Sequence, residues 1–283
     1  MPTSQKTQQI ERLTRLLLLV TAAMLVLLLI LTVVFFVTKP SSKPVKNPDK
    51  NPTVTDDEGN TLAPSDPPAD DPVNDGVTLP LTADAGTAYQ DKIIFVGDSL
   101  TAHLINREVL TGGSATKQVW RCENNMMNLN SEVTAAKIIY PGTGEKMTVA
   151  QAAGKAKPEI MIITLGTDWG VSYLSESEFK ACYSALIKDI QKASPKTEII
   201  LQSIFPVTAG CVTLDNSKIN TANKWVKAIA AENDCHYLDT QSILKDDKGN
   251  LKAEYCNSTD GIHMGANAYV AILEYIRTHA IDD

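Results

Sequence analysis

A chain of 283 residues that is 43% hydrophobic and 21% charged is too long and too apolar to be disordered throughout, and it has room for one or two domains. Its formal net charge of −7 supplies no basic surface to neutralise phosphates, which argues against a nucleic-acid binder. Its five cysteines, Cys122, Cys182, Cys211, Cys235 and Cys256, never fall as C-x-x-C, so neither a disulfide-built scaffold nor a structural zinc site is expected.

The apolar residues are concentrated at the start. Residues 16–37 form a 22-residue stretch whose polarity is limited to Thr21 and Thr32. As a helix this stretch is roughly 33 Å long, enough to span a bilayer core. The run is longer than a signal-peptide core and ends Phe36-Val37-Thr38-Lys39-Pro40 without a small-x-small site, so an uncleaved membrane anchor is expected. Residues 1–15, closed by Arg12 and Arg15, read as a short cytoplasmic tail. The chain is then a single-pass protein of the cell membrane with its N-terminus inside and its bulk outside.

Residues 38–86 hold nine of the fourteen prolines and nine acidic residues against four lysines, with almost no aliphatic clustering. That composition predicts a disordered linker, a tether with a coil dimension of roughly 40 Å and a reach of roughly 150 Å if extended.

From 87 to 283 strand-like and helix-like segments alternate, the signature of an α/β domain with a mostly parallel sheet. Strands are predicted at 92–96, 117–121, 160–165, 198–203 and 236–239. Helices are predicted from Ser99 to about Val109 and at 149–156, 217–232 and 266–280. A further helix follows the capping box of Ser175 and Glu178, with Phe179, Cys182, Tyr183, Leu186, Ile187 and Ile190 on one face. In such sheets the chemistry gathers at the carboxyl ends of the strands.

Two constellations lie at those ends. Ser99 follows the first strand on the turn Gly97-Asp98-Ser99 and opens a helix, which exposes its hydroxyl near the positive end of the helix dipole; taken alone, Ser99 also reads as an N-cap. Asp260-Gly261-Ile262-His263 stands before the last helix, and an Asp three residues before a His can accept the Nδ1 proton and leave Nε2 free as a base.

Together, Phe95-Val96-Gly97-Asp98-Ser99-Leu100 and Asp260-Gly261-Ile262-His263 resemble the first and last sequence blocks of the SGNH or GDSL hydrolases, over about residues 91–280. The resemblance implies a flavodoxin-like three-layer α/β/α sandwich with a five-stranded, mostly parallel sheet. It also implies a serine acyl-ester hydrolase that needs no metal or organic cofactor. By the same resemblance Ser99 is the nucleophile, His263 the general base and then acid, and Asp260 the residue that orients the imidazole. The oxyanion hole would draw on the backbone N–H of Ser99, a backbone N–H near Cys122, and position 168.

The middle blocks depart from the family pattern. Where the family has G-x-N-D, this chain has Gly166-Thr167-Asp168-Trp169, and an ionised Asp168 cannot donate to an oxyanion. The second-block glycine is missing from Val119-Trp120-Arg121-Cys122-Glu123-Asn124-Asn125. His103, four residues after Ser99, and Trp169 are candidates to line a substrate cleft, with plain packing as the alternative for each. A bridge between Cys211 and Cys256 is left open.

These features point to an extracellular, membrane-tethered esterase acting on an acyl, most simply acetyl, group of a cell-envelope glycan. Its expected partners are the acylated carbohydrate or another ester substrate and, through 16–37, the lipid bilayer, with no nucleic acid. Three alternatives stand beside it: an O-acyltransferase on the same glycans, a degenerate domain that binds glycan or an envelope protein, and a lipase on membrane lipids.

Overall fold

Five consecutive aliphatic or small residues at Ile160–Thr164, all buried, set the centre of the fold. A strand buried on both faces must be covered on both, and a parallel sheet between two helix layers does so. In the computed structural model, which describes residues 75–281, the chain builds that arrangement. The expected anchor at 16–37 and most of the expected linker lie outside the described residues. Among the described residues no helix is long and apolar enough to cross a membrane.

The elements in chain order are α1 (Gly86–Gln90), β1 (Ile93–Gly97), α2 (Ser99–Asn106), β2 (Val119–Trp120), β3 (Lys137–Ile139), β4 (Lys146–Thr148), α3 (Val149–Ala156), β5 (Ile160–Thr164), α4 (Gly170–Tyr173), α5 (Glu176–Ala193), β6 (Glu198–Gln202), α6 (Asn216–Glu232), β7 (His236–Leu238), α7 (Gln241–Leu244) and α8 (Ala266–Arg277). Five strands form one parallel sheet in the order β2-β1-β5-β6-β7, with Phe95 opposite both Val119 and Ile162, and Ile162 opposite Ile200. The period-2 alternation of strand side chains sends Val96, Met161, Ile163 and Leu201 to one face, where α3, α5 and α6 cover them. Ile93, Phe95, Ile162, Ile200 and Leu238 face the other way, toward α2, α7 and α8. This is the expected three-layer α/β/α sandwich.

Local chemistry accounts for the helix starts. Ser175 and Glu178 form the predicted capping box at α5, and Thr148 and Gln151 form a second at α3. The apolar face of α5 is buried at Phe179, Tyr183, Leu186, Ile187 and Ile190, and the Tyr183 hydroxyl donates to the Ile163 carbonyl oxygen at 3.1 Å, so its polar tip is satisfied.

Two features differ from the expectation. The hairpin of β3 and β4 was not foreseen, because three-residue strands mixing Lys with Ile, Met and Thr are too short to show a period; the turn at Tyr140-Pro141-Gly142-Thr143-Gly144 joins them. The tether boundary at residue 86 also moves. Thr78 bridges to Tyr237 in parallel, the Leu79 amide donates to the Tyr237 carbonyl at 2.9 Å, and the Ala85 amide donates to the Arg277 carbonyl at 3.0 Å. Residues 75–86 thus pack on the domain and cover the β7 edge, and they include Leu79, which is buried. All five cysteines are free, so the Cys211–Cys256 bridge that the sequence left open is not formed.

Gly97 marks how tightly the turn into Ser99 is built. A Cβ there would overlap the Thr101 hydroxyl and the Thr164 carbonyl oxygen of the neighbouring strand. Gly97→Ala should cost about 1–3 kcal/mol by overpacking, read as a lowered denaturation midpoint; an unchanged midpoint would show that β1 and β5 can part at no cost.

Candidate active site

The carboxyl end of β1 delivers Ser99 as the first residue of α2. Asp98 before it is extended and buried, and its two carboxylate oxygens serve two elements: Oδ1 accepts from the Leu100 amide at 3.1 Å and Oδ2 from the Thr167 amide at 3.2 Å. One buried side chain therefore caps α2 and ties the serine turn to the turn after β5. Burial, and then the charge of Asp168, push the Asp98 carboxyl well above the usual carboxylate range.

The opposite wall is the loop before α8. Gly261 has a positive φ of 76°, and a Cβ there would run into the Thr208 hydroxyl and the Cys211 backbone, so the residue between Asp260 and Ile262 has to be glycine. The resulting tight turn lets Asp260 Oδ1 accept from the amides of Ile262 at 2.7 Å and His263 at 3.1 Å, and from the Ser258 hydroxyl. The other oxygen, Oδ2, lies 2.6 Å from His263 Nδ1, and His263 Nε2 lies 3.4 Å from Ser99 Oγ. With Nδ1 protonated toward the carboxylate, Nε2 is the acceptor that faces the serine hydroxyl. Residues 164 positions apart thus meet with the donor and acceptor order that acyl transfer needs.

The partial burial of Asp260 raises its pKa, but the hydrogen bonds from Ser258, Ile262 and His263 together outweigh it and hold the carboxyl well below its ordinary value. Because the folded value lies below the unfolded one, these bonds stabilise the fold fully above about pH 4 and are lost as pH falls through the folded value. The drop in Tm on acidification below about pH 4 should be shallower in Asp260→Asn than in the wild type; parallel Tm curves would remove this linkage.

The third participant differs from what an oxyanion hole requires. Asp168, on the turn after β5, accepts from the Ser99 amide through Oδ2 and from the Ser99 hydroxyl through Oδ1, both at 3.3 Å. The backbone N–H expected to serve an oxyanion therefore faces a carboxylate, and the single Ser99 proton has two acceptors, Asp168 and His263, at nearly equal distance. The Cys122 backbone lies beside Ile138 in an antiparallel bridge held by the Ile139 amide to the Arg121 carbonyl at 3.0 Å, and its own carbonyl accepts from the Asn125 amide at 3.0 Å. Asn125 Oδ1 is held by Arg121 at 2.5 Å, and Asn124 Oδ1 by the Met126 amide at 3.0 Å.

His103 does reach the site. One turn along α2 from Ser99, its ring lies 4.8 Å from that of His263, centroid to centroid. Burial first, then the neighbouring His263 and Arg107, lower its pKa, so it backs the site as a neutral ring. Trp169 is half-exposed and lies against Tyr173 with ring centroids 4.5 Å apart, an aromatic pair that begins one residue beyond Asp168.

Sequence reasoning missed Ser258, Arg107 and Tyr269. Arg107 Nε donates to the Met264 carbonyl at 3.1 Å and the Tyr269 hydroxyl to the Leu100 carbonyl at 2.8 Å, so the helix that carries Ser99 also grips the loop and helix that carry and follow His263. Only the S-x-D spacing of Ser258 and Asp260 was available as a signal; the other two contacts are purely tertiary. Among the described residues no group of His, Cys, Asp and Glu is arranged to hold a metal ion.

The model of the GDSL-like lipase/acylhydrolase family matches residues 95–271, from within β1 to within α8. The chain belongs to the GDSL-like lipase/acylhydrolase family. The matched stretch of this GDSL-type esterase holds both Ser99 on the β1–α2 turn and His263 before α8. No curated protein sequence matches it. Among solved structures it is similar to a GDSL-like lipase from Bacteroides thetaiotaomicron, at 15% identity over 68% of this chain and 88% of that one, TM-score 0.42. It is also similar to the lipase/acylhydrolase from Enterococcus faecalis, at 17% over 65% and 93%, TM-score 0.42. An active-site mutant of a family two carbohydrate esterase from Clostridium thermocellum gives 14% over 65% and 61%, TM-score 0.45. The family match, not these neighbours, carries the assignment of this GDSL-type esterase.

Proposed function

We propose that this GDSL-type esterase is a membrane-tethered serine hydrolase acting outside the cytoplasm, and that it removes an acyl group, acetyl in the simplest case, from a cell-envelope glycan. The observation that carries the catalytic part is the run Ser99 Oγ to His263 Nε2 at 3.4 Å and His263 Nδ1 to Asp260 Oδ2 at 2.6 Å. The apolar stretch at 16–37 and the proline-rich, acidic stretch that follows support the tether and a substrate beyond the lipid surface.

In this reading Ser99 Oγ attacks the acyl carbon and its proton passes to His263 Nε2. Asp260 steadies the imidazolium through Nδ1–H. The sugar hydroxyl leaves with that proton as the acyl-serine forms. Water then gives a proton to Nε2 as it attacks the acyl-serine, and the return of that proton to Oγ releases the acid. The Ser99 N–H serves the oxyanion once the Asp168 carboxylate turns away from it.

The test is acetate release from acetylated envelope polysaccharide by the full chain in detergent, beside its Ser99→Ala variant. Release that depends on Ser99 is expected. Equal release at the no-enzyme background would overturn the reading in favour of a non-catalytic binding domain, which the carboxylate lying over the Ser99 N–H also favours.

A further inference from the structure

Burial raises the pKa of the Asp168 carboxyl, against the hydrogen bonds from Ser99 and the charge of His263, the basic side chain that faces it. The carboxylate lies 3.3 Å from the hydroxyl that would attack the substrate and 3.3 Å from the Ser99 amide nitrogen, and among the described residues no Lys or Arg pairs with it. Arg107, the residue that ends α2, is directed to the Met264 carbonyl instead. No metal-ion cluster is available among the described residues to neutralise it. Asp98, the more deeply buried of the two carboxyls, is the one whose ionisation costs more, so the charge of the pair resides on Asp168.

We infer that Asp168 makes this site selective for acyl groups that bear an ammonium next to the scissile carbonyl, the α-aminoacyl esters. The inference rests on the serine-esterase reading and specifies its substrate. Attack requires the acyl carbon within about 3–3.5 Å of Ser99 Oγ, and Asp168 Oδ1 lies 3.3 Å from the same Oγ, so an ammonium two bonds from that carbon can reach salt-bridge distance of the carboxylate. An α-ammonium there does two things. It draws the carboxylate off the Ser99 N–H, freeing that donor for the oxyanion, and it supplies positive charge beside the oxygen that becomes negative. A neutral acyl chain does neither, so the carboxylate leaves the N–H less readily, repels the developing oxyanion, and such esters turn over more slowly. The bond changes are those already given, with the free α-amino acid as the released acid.

Alanyl and isobutyryl esters of one alcohol make the comparison, since they differ by ammonium against methyl at nearly constant shape. The kcat/KM of each is measured with the full wild-type chain, with Asp168→Asn and, as background, with Ser99→Ala. Dividing the wild-type preference by the Asp168→Asn preference cancels the intrinsic lability of the aminoacyl ester. Wild type is expected to prefer the alanyl ester roughly 10- to 100-fold more than Asp168→Asn does. The variant should lose rate on alanyl and gain rate on isobutyryl, and that gain also shows that it folds. The wild-type preference should fade as the ester's amine deprotonates with rising pH.

The same preference in both proteins, or a pH-independent preference in wild type, would overturn the inference while leaving the esterase reading intact. Turnover of neither ester above the Ser99→Ala background would overturn the esterase reading, and the inference with it.

Discussion

Ser99→Ala and His263→Ala should each lower ester turnover by about 10⁵- to 10⁶-fold, and the double variant should be no slower than either single one. The reason is geometric. Ser99 Oγ and His263 Nε2, 3.4 Å apart, form one proton-transfer unit, so removing either half leaves nothing for the other to do. The residual rate would come from substrate binding alone. Steady-state kinetics on an activated ester checks this, with thermal unfolding to show that the variants remain folded. Losses that multiply in the double variant would mean that the two side chains act on separate steps.

Asp260→Asn is expected to cost about 10⁴-fold in kcat with little change in KM. The carboxylate fixes the tautomer: Oδ2, 2.6 Å from Nδ1, keeps the proton on that nitrogen and leaves Nε2 able to accept from Ser99. An amide at the same place can present its NH₂ group to Nδ1, which moves the ring proton to Nε2 and turns the base into a donor. Ser258→Ala removes only one of the three donors to Oδ1 and leaves the backbone pair from Ile262 and His263, so a change of no more than about tenfold is expected, since one net hydrogen bond is worth about 1 kcal/mol. A large effect on KM in Asp260→Asn would instead place this residue in substrate binding.

Much of this site is written locally. Asp260 and His263 are three residues apart on one turn, and the Gly97-Asp98-Ser99 turn follows a strand whose aliphatic run announces itself, so both constellations are visible without tertiary information. The capping boxes at Ser175 and Thr148 are equally local; the first was read in advance and the second is of the same kind. What sequence hides is direction. That Asp168 would point its carboxylate at the Ser99 amide depends on the Thr167 amide being pinned by Asp98, 69 positions earlier. The contact of His103 with His263 needs α2 and the last loop to be brought together by Arg107 and Tyr269, which carry no motif. Residues 75–79 read as tether because their composition is that of the preceding stretch; their pairing to Tyr237 depends on an open sheet edge that only the fold creates.

The nucleophile is tested most directly by reacting the full chain in detergent with a fluorophosphonate and mapping the adduct by peptide mass spectrometry. The account predicts one phosphonylated residue, Ser99, with a rate that collapses in His263→Ala. An adduct on another serine, or labelling of Ser99 at an unchanged rate without His263, would contradict it.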